Sequence, residues 1–139
     1  MKKVNEMIFL DTSFIVSYYN IGDENHNKAL KVMEDLKKGL YGDVVISDYI
    51  FDESATIIYY KLKDLNKTIR ICEILKKLIE YDVDRIIFEE SWNIFANQKN
   101  SKFSFTDCSI LALMAKNKII NLATFDKEFQ KINWLKILC

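Results

Sequence analysis

Four acidic residues, Asp11, Glu53, Asp107 and Asp126, have the types and neighbours to do chemistry. Asp11 ends the apolar run Met7-Ile8-Phe9-Leu10 and is followed by Thr12 and Ser13. A run with no polar residue suits a short strand buried on both faces of a parallel sheet. Ligands of open α/β sheets bind beyond the carboxyl ends of the strands, where such an acid emerges. Glu53 lies three residues after Ile50 and four before Ile57, so a helical period turns it toward the apolar side. Asp107 opens the stripe Ile110, Leu111, Met114 and Ala115, and Asp126 repeats the setting of Asp11 after a later apolar run. Each also has a plainer reading: Asp11 and Asp126 as N-caps, Asp107 as a first-turn acid facing the helix dipole, and Glu53 reaching solvent or a lysine. What distinguishes them is convergence. A parallel sheet brings strand ends together, and four carboxylates in one pocket either hold protons or bind a hard divalent cation. Mg²⁺ and Mn²⁺ suit oxygen donors, and with no lysine or histidine base prominent the chemistry expected is metal-activated water attacking a phosphodiester.

These acids need a scaffold of alternating strands and helices. Val44-Val45-Ile46 reads as a second strand, and Ser47 as the N-cap of a helix from Asp48 to Lys63. Before it, Gly22-Asp23 marks a loop and a helix runs from about Glu24 to Lys38, with His26, Ala29, Leu30, Met33 and Leu36 on one face and Gly39 and Gly42 behind it. His26, the single histidine, reads as hydrogen-bonded packing rather than as a base. Asn66 is expected to cap a helix through about Tyr81, followed by Ile86-Ile87-Phe88 as a third strand and Glu89 to Ala96 as a helix. The polar run Asn97 to Asn100 is a loop placed to lie beside a substrate. A strongly apolar helix then runs to about Lys116, with Asn117 ending it in place of a glycine. Ile119 to Ala123 is a fourth strand, a short helix containing Phe129 and Ile132 follows Asp126, and Trp134 to Leu138 is a fifth strand.

The chain of 139 residues is half apolar, which is enough for one domain with its own core, spanning residues 1–139. Lys+Arg and Asp+Glu balance at 20 each, so any nucleic-acid contact falls to a local patch rather than to a polyelectrolyte arm. Cys72, Cys108 and Cys139 are odd in number and far apart, which suggests neither a disulfide framework nor a zinc site and fits a reducing cytosol. The run behind the basic amino end, Met1-Lys2-Lys3-Val4-Asn5-Glu6, is too short for a signal peptide and no stretch approaches a membrane span, so a soluble, cytoplasmic protein is expected.

Asp11-Thr12-Ser13, the Ser47-Asp48-Tyr49 lead into Glu53, the run Phe103 to Asp107 with its apolar helix, and Thr124-Phe125-Asp126-Lys127-Glu128-Phe129 resemble, in order and spacing, the PIN-domain nucleases. The toxin ribonucleases of toxin-antitoxin pairs look closest. The resemblance implies an α/β/α sandwich with a parallel sheet of order 3-2-1-4-5. It also implies Mg²⁺ or Mn²⁺ held by Asp11, Glu53, Asp107 and Asp126, with Thr12 and Thr124 as supporting hydroxyls. The implied activity is endoribonuclease cleavage of single-stranded or looped RNA, in a homodimer inhibited by a small antitoxin. Arginine is scarce, so phosphate contacts fall to lysines as point charges, with Lys99, Lys102, Lys116 and Lys127 as candidates. A phosphotransfer receiver would need an acid pair near the first strand, and a haloacid-type phosphatase an acid where Ser13 stands; Gly22, Gly39 and Gly42 form no nucleotide-binding fingerprint. A non-catalytic module of the same fold is the main rival, and four buried charges in an idle site weigh against it. A housekeeping RNA-processing nuclease would use the same pocket.

Overall fold

The computed structural model describes residues 6–139; the amino end read above as no signal peptide lies, in its first five residues, outside them. Five strands form one all-parallel sheet: β1 (Met7–Leu10), β2 (Asp43–Ser47), β3 (Ile79–Tyr81), β4 (Asn121–Ala123) and β5 (Lys136–Leu138), in the order β3-β2-β1-β4-β5. That is the order expected. β1 is central, and Ile8, Phe9 and Leu10 are buried, as its lack of polar residues requires. Winding moves from β1 through β2 to β3 and then returns to β4 on the other side of β1, so the direction reverses between β1 and β4. Ligand crevices form at such a reversal.

Among the described residues six α-helices cover the sheet: α1 (Thr12–Tyr19), α2 (His26–Lys37), α3 (Asp48–Leu62), α4 (Leu65–Lys76), α5 (Arg85–Ala96) and α6 (Phe105–Lys116). Ser47 caps α3 as expected, its hydroxyl accepting the Ile50 N–H at 3.2 Å, and α3 ends at Lys63 in a left-handed conformation, φ 54°. α2 delivers the chain to β2 through Gly42, whose φ of 80° and close approach to the Glu6 backbone leave no room for a side chain. Of the stripe expected on α2, Ala29 and Leu36 are buried while Leu30 is exposed. α6 is buried nearly all round, from Cys108 to Met114, and packs against α5 and α3; Ala115, expected on its buried stripe, is exposed.

The third strand lies elsewhere than the apolar run Ile86-Ile87-Phe88 suggested. Those residues belong to α5, because Asp84 caps it by accepting the Ile87 N–H at 2.9 Å, and only one side of the run is covered: Ile87 is buried and Ile86 is 64% exposed. The strand comes instead from Ile79–Tyr81, residues expected to finish the preceding helix. That helix tightens and stops at Lys76, and Leu78 C=O then accepts the Ile46 N–H at 2.9 Å, which starts pairing with β2. Its N-cap is Asp64, accepting the Lys67 N–H at 3.1 Å, rather than Asn66. At the end of α6, Asn117 caps through its amide to Leu113 C=O but is not left-handed; Lys118 takes that conformation, φ 57°. The short helix after β4 is a 3-10 turn, Lys127–Lys131, with Phe129 buried. No helix among the described residues is long and apolar enough to cross a membrane.

Candidate active site

Asp11 leaves β1 at the sheet reversal. Its backbone occupies the N-cap position of α1, φ −83° and ψ 155°, yet its side chain makes no capping bond. Its Oδ2 instead accepts the Ser13 hydroxyl at 2.7 Å and the Thr124 hydroxyl at 2.6 Å. Those hydroxyls in turn accept backbone N–H groups from the segment leaving β4: Phe125 N–H to Ser13 Oγ and Asp126 N–H to Thr124 Oγ1, both at 3.0 Å. Each hydroxyl has one proton, and both protons point at Asp11, so the 3.1 Å approach between Ser13 and Thr124 is a contact rather than a further bond. The network ties the ends of β1 and β4 together around one carboxylate. Asp11 is only 4% exposed, and this burial, opposed by the two hydroxyl bonds and aided by Glu53 and Asp126, raises its pKa.

The other three acids meet Asp11 in one cleft of about 550 Å³. Glu53, half-buried one turn into α3, makes no hydrogen bond or ion pair with any described residue. Asp107 has two roles. Its Oδ2 accepts the Ser104 N–H at 3.0 Å while Ser104 Oγ accepts the Asp107 N–H at 3.1 Å, a reciprocal cap on α6. It also lines the cleft, where burial, against the Ser104 bonds and with the charges of Asp11 and Asp126, pushes its pKa up to about 6. Asp126 does cap the 3-10 turn through Glu128 N–H at 3.0 Å, and still lines the cleft. The capping readings of Asp107 and Asp126 are therefore correct as far as they go, and the cleft comes in addition.

Of the two threonines expected to support the acids, Thr124 does so directly. Thr12 is buried but contacts Ser54, beside Glu53, at 3.4 Å rather than any of the four acids. Ser13, which was not singled out, holds Asp11; an Asp-x-Ser at a strand end is the local signal that a hydroxyl can fold back on the carboxylate. Asp23, a fifth acid on the cleft wall, was read only as loop, and its Oδ1 accepts Asn25 N–H at 2.8 Å. His26 is structural, as expected, its Nδ1 2.9 Å from Ser17 C=O. Of the candidate lysines, Lys99, Lys102 and Lys116 line neither the cleft nor the groove beside it, Lys127 lines that groove, and Lys61 lines the cleft itself. A larger apolar groove of about 940 Å³ between α3 and α4, walled by Tyr59, Tyr60, Leu65 and Ile69, contains none of the acids.

The donor set suits a hard divalent ion held openly. Among the described residues no three acidic, histidine or cysteine side chains close up as a ready-made cage. Mg²⁺ is ordinarily held by one or two carboxylates with water and substrate oxygens completing its shell, so acids spread around a cleft fit it better than they would fit a closed structural site. Glu53 and Asp126 raise the cost of ionising Asp11, and Asp11 and Asp126 that of Asp107; a cation held among them would reverse that sign.

The PIN domain family model matches residues 8–135 of the chain. The chain is similar to the 23S rRNA-specific endonuclease VapC20 of Mycobacterium tuberculosis, 24% identical over 135 residues that cover 94% of this chain and 98% of the relative. It is 26% identical to Ribonuclease VapC6 of Methanocaldococcus jannaschii, in an alignment that covers 94% of this chain and 95% of the relative. Among solved structures, the Mycobacterium tuberculosis VapC20, a sarcin-ricin loop cleaving toxin, superposes with a TM-score of 0.80 at 23% identity, covering 91% of this chain and 95% of that one. VapBC2 of Rickettsia felis, bound to a promoter DNA fragment, gives a TM-score of 0.70 at 18% identity, covering 94% and 96%.

Proposed function

The chain belongs to the PIN domain family, and on that footing we propose that it is a Mg²⁺- or Mn²⁺-dependent endoribonuclease acting on single-stranded or looped RNA, as the toxin of a toxin-antitoxin pair. The observation that carries this reading is the convergence of Asp11, Glu53, Asp107 and Asp126, from four separate segments, on one cleft at the sheet reversal. Relatives over nearly the full chain that are named RNA endonucleases support the substrate class. These four carboxylates would hold the ion, which supplies positive charge to a phosphodiester and a more acidic water.

The chain's own groups set the rest. The Ser13 and Thr124 hydroxyls hold Oδ2 of Asp11 and fix the carboxylate's orientation against β4. The Ser104 cap does the same for Asp107, and Ser54 packs Thr12 beneath Glu53's turn of α3. Asp107, pushed up to about 6 without metal, can exchange a proton near neutral pH. The toxin reading also takes a small antitoxin as partner and expects a homodimer in the cytoplasm; the exposed apolar groove between α3 and α4 supports a protein partner. Cleavage of a synthetic unstructured RNA tests the activity. It is expected with Mg²⁺ or Mn²⁺ and absent in chelator, and undiminished cleavage in excess EDTA refutes the metal dependence.

A further inference from the structure

The acid cleft does not stop at the carboxylates. It shares Glu53 and Ile57 with a groove running to Tyr49, Asp52 and Thr106, and shares Asn25, Phe125 and Asp126 with a second groove that Lys28 and Lys127 line. The two continuations differ in charge. The first adds Asp52 and no cation, whereas the second adds Lys28 and Lys127 beside Glu24 and the carboxyl end at Cys139. A polyanion entering the cleft is repelled from the first and drawn along the second. Lys61 lines the cleft itself, on the face of α3 that carries Glu53 and Ile57 at four-residue steps.

These three lysines are available to a ligand. Each is exposed, and among the described residues none is in an ion pair or hydrogen bond. Lys131, by contrast, is held by Glu128 at 3.0 Å and by Asn100 C=O at 2.8 Å. α3, which carries Lys61, follows β2, and the turn beginning at Lys127 follows β4; those strands flank β1 on opposite sides. Lys61 and Lys127 are thus carried by elements that follow strands on either side of β1, and Lys28 by α2. At the seam of cleft and groove stands Phe125, half-buried and stacked on Phe14 with ring centroids 6.0 Å apart, a flat surface on which a base can stack.

We propose that the cleft and the Lys28–Lys127 groove form one track for a single-stranded phosphodiester backbone, with Lys61 and the Lys28–Lys127 pair contacting phosphates that flank the scissile one. This rests on the nuclease reading and adds to it the path and grip of the strand. Lysine contacts to phosphate position the strand without reading its bases, so the track sets affinity and leaves the choice of target to other contacts.

The test compares wild type, Lys61→Gln, Lys28→Gln/Lys127→Gln and Lys61→Arg, cleaving a synthetic unstructured RNA with Mn²⁺ over a range of salt. Lys31→Gln, an exposed lysine outside all these grooves, is the control. Both Gln sets should raise KM about three- to tenfold with kcat little changed, and should flatten the salt dependence of log kcat/KM by about 0.7 per lysine removed. Lys61→Arg and Lys31→Gln should keep the wild-type KM, and the rise in melting temperature with Mn²⁺ should be the same in all. An unchanged KM and salt slope in either Gln set, while wild type cleaves normally, overturns the track. A wild type that cleaves no RNA with Mn²⁺ overturns the nuclease reading itself, and the track with it.

Discussion

Replacing Asp107 by Asn should make the metal-free protein more stable at neutral pH. The folded-state pKa of Asp107 is about 6 against an ordinary 3.8, a gap of roughly 2 units, raised first by burial and then by Asp11 and Asp126. At about 1.4 kcal/mol per unit the ceiling is near 3 kcal/mol, and because the side chain is only partly buried, solvent screening brings the expected effect to about 1–2 kcal/mol. The sign follows from proton uptake. Between about pH 4 and 6 the folded chain holds a proton at Asp107 that the unfolded chain has lost, so stability falls as pH rises through that window and stays low above it. Asn removes the charge while its amide oxygen can still accept the Ser104 N–H, so the cap on α6 is kept. In EDTA at pH 7.5, Asp107→Asn should therefore melt roughly 3–7 °C above wild type, with the difference closing toward about pH 4. Adding Mn²⁺ should reverse the order. Wild type gains about 2.7 kcal/mol at a hundredfold excess over the dissociation constant, and the variant, having lost a donor, gains less. Thermal melts of both proteins at two pH values, with EDTA and with Mn²⁺, read all four quantities. A variant that melts below wild type in EDTA at pH 7.5 would reduce Asp107 to its capping role, and an equal response to Mn²⁺ would remove it from the metal site.

Asp11→Asn should lower the cleavage rate by orders of magnitude with the fold intact, checked by single-turnover kinetics beside circular dichroism; near-normal turnover would move the site elsewhere. Ser13→Ala removes one of two hydroxyl donors to Asp11 and the acceptor of Phe125 N–H, so it should cost roughly ten- to a hundredfold in activity or Mn²⁺ affinity and about 1–3 kcal/mol of stability, as titration of the melting shift will show. In sub-saturating Mn²⁺ the rate should fall as pH drops through about 6, because protonated Asp107 is no longer a ligand; a flat profile from pH 7.5 to 5 would contradict this. Ile87→Ala should destabilise by about 2–4 kcal/mol in urea and Ile86→Ala by about 0.5 kcal/mol or less, and equal losses would argue against the helical assignment of that segment.

How much of this could be read from residues alone depended on the range of the interaction involved. The unbroken apolar run of β1, the period that turns Glu53 inward and the Ser47 cap are local features, and they are enough to place carboxylates at strand ends and to anticipate the order of the sheet. The four acids were legible because each stands at the junction of two local patterns. The identity of β3 was not: Ile79–Tyr81 and Ile86–Phe88 are both short apolar runs, and the choice rests on Leu78 C=O meeting Ile46 N–H and on Asp84 capping α5. The hydroxyl pair on Asp11 joins residues more than a hundred positions apart, so Thr124 could be suspected from its place after a strand while its bond could not. Asp23 and Lys61 carried no local mark, since a loop acid and an exposed helical lysine look like any other until the fold brings them to the same cleft wall. Local sequence determined which segments could become strands and helices and which ends carried acids. Only the tertiary structure decided which of two equal runs paired with β2 and which side chains faced the cleft, because those outcomes are set by contacts between distant segments that no local pattern encodes.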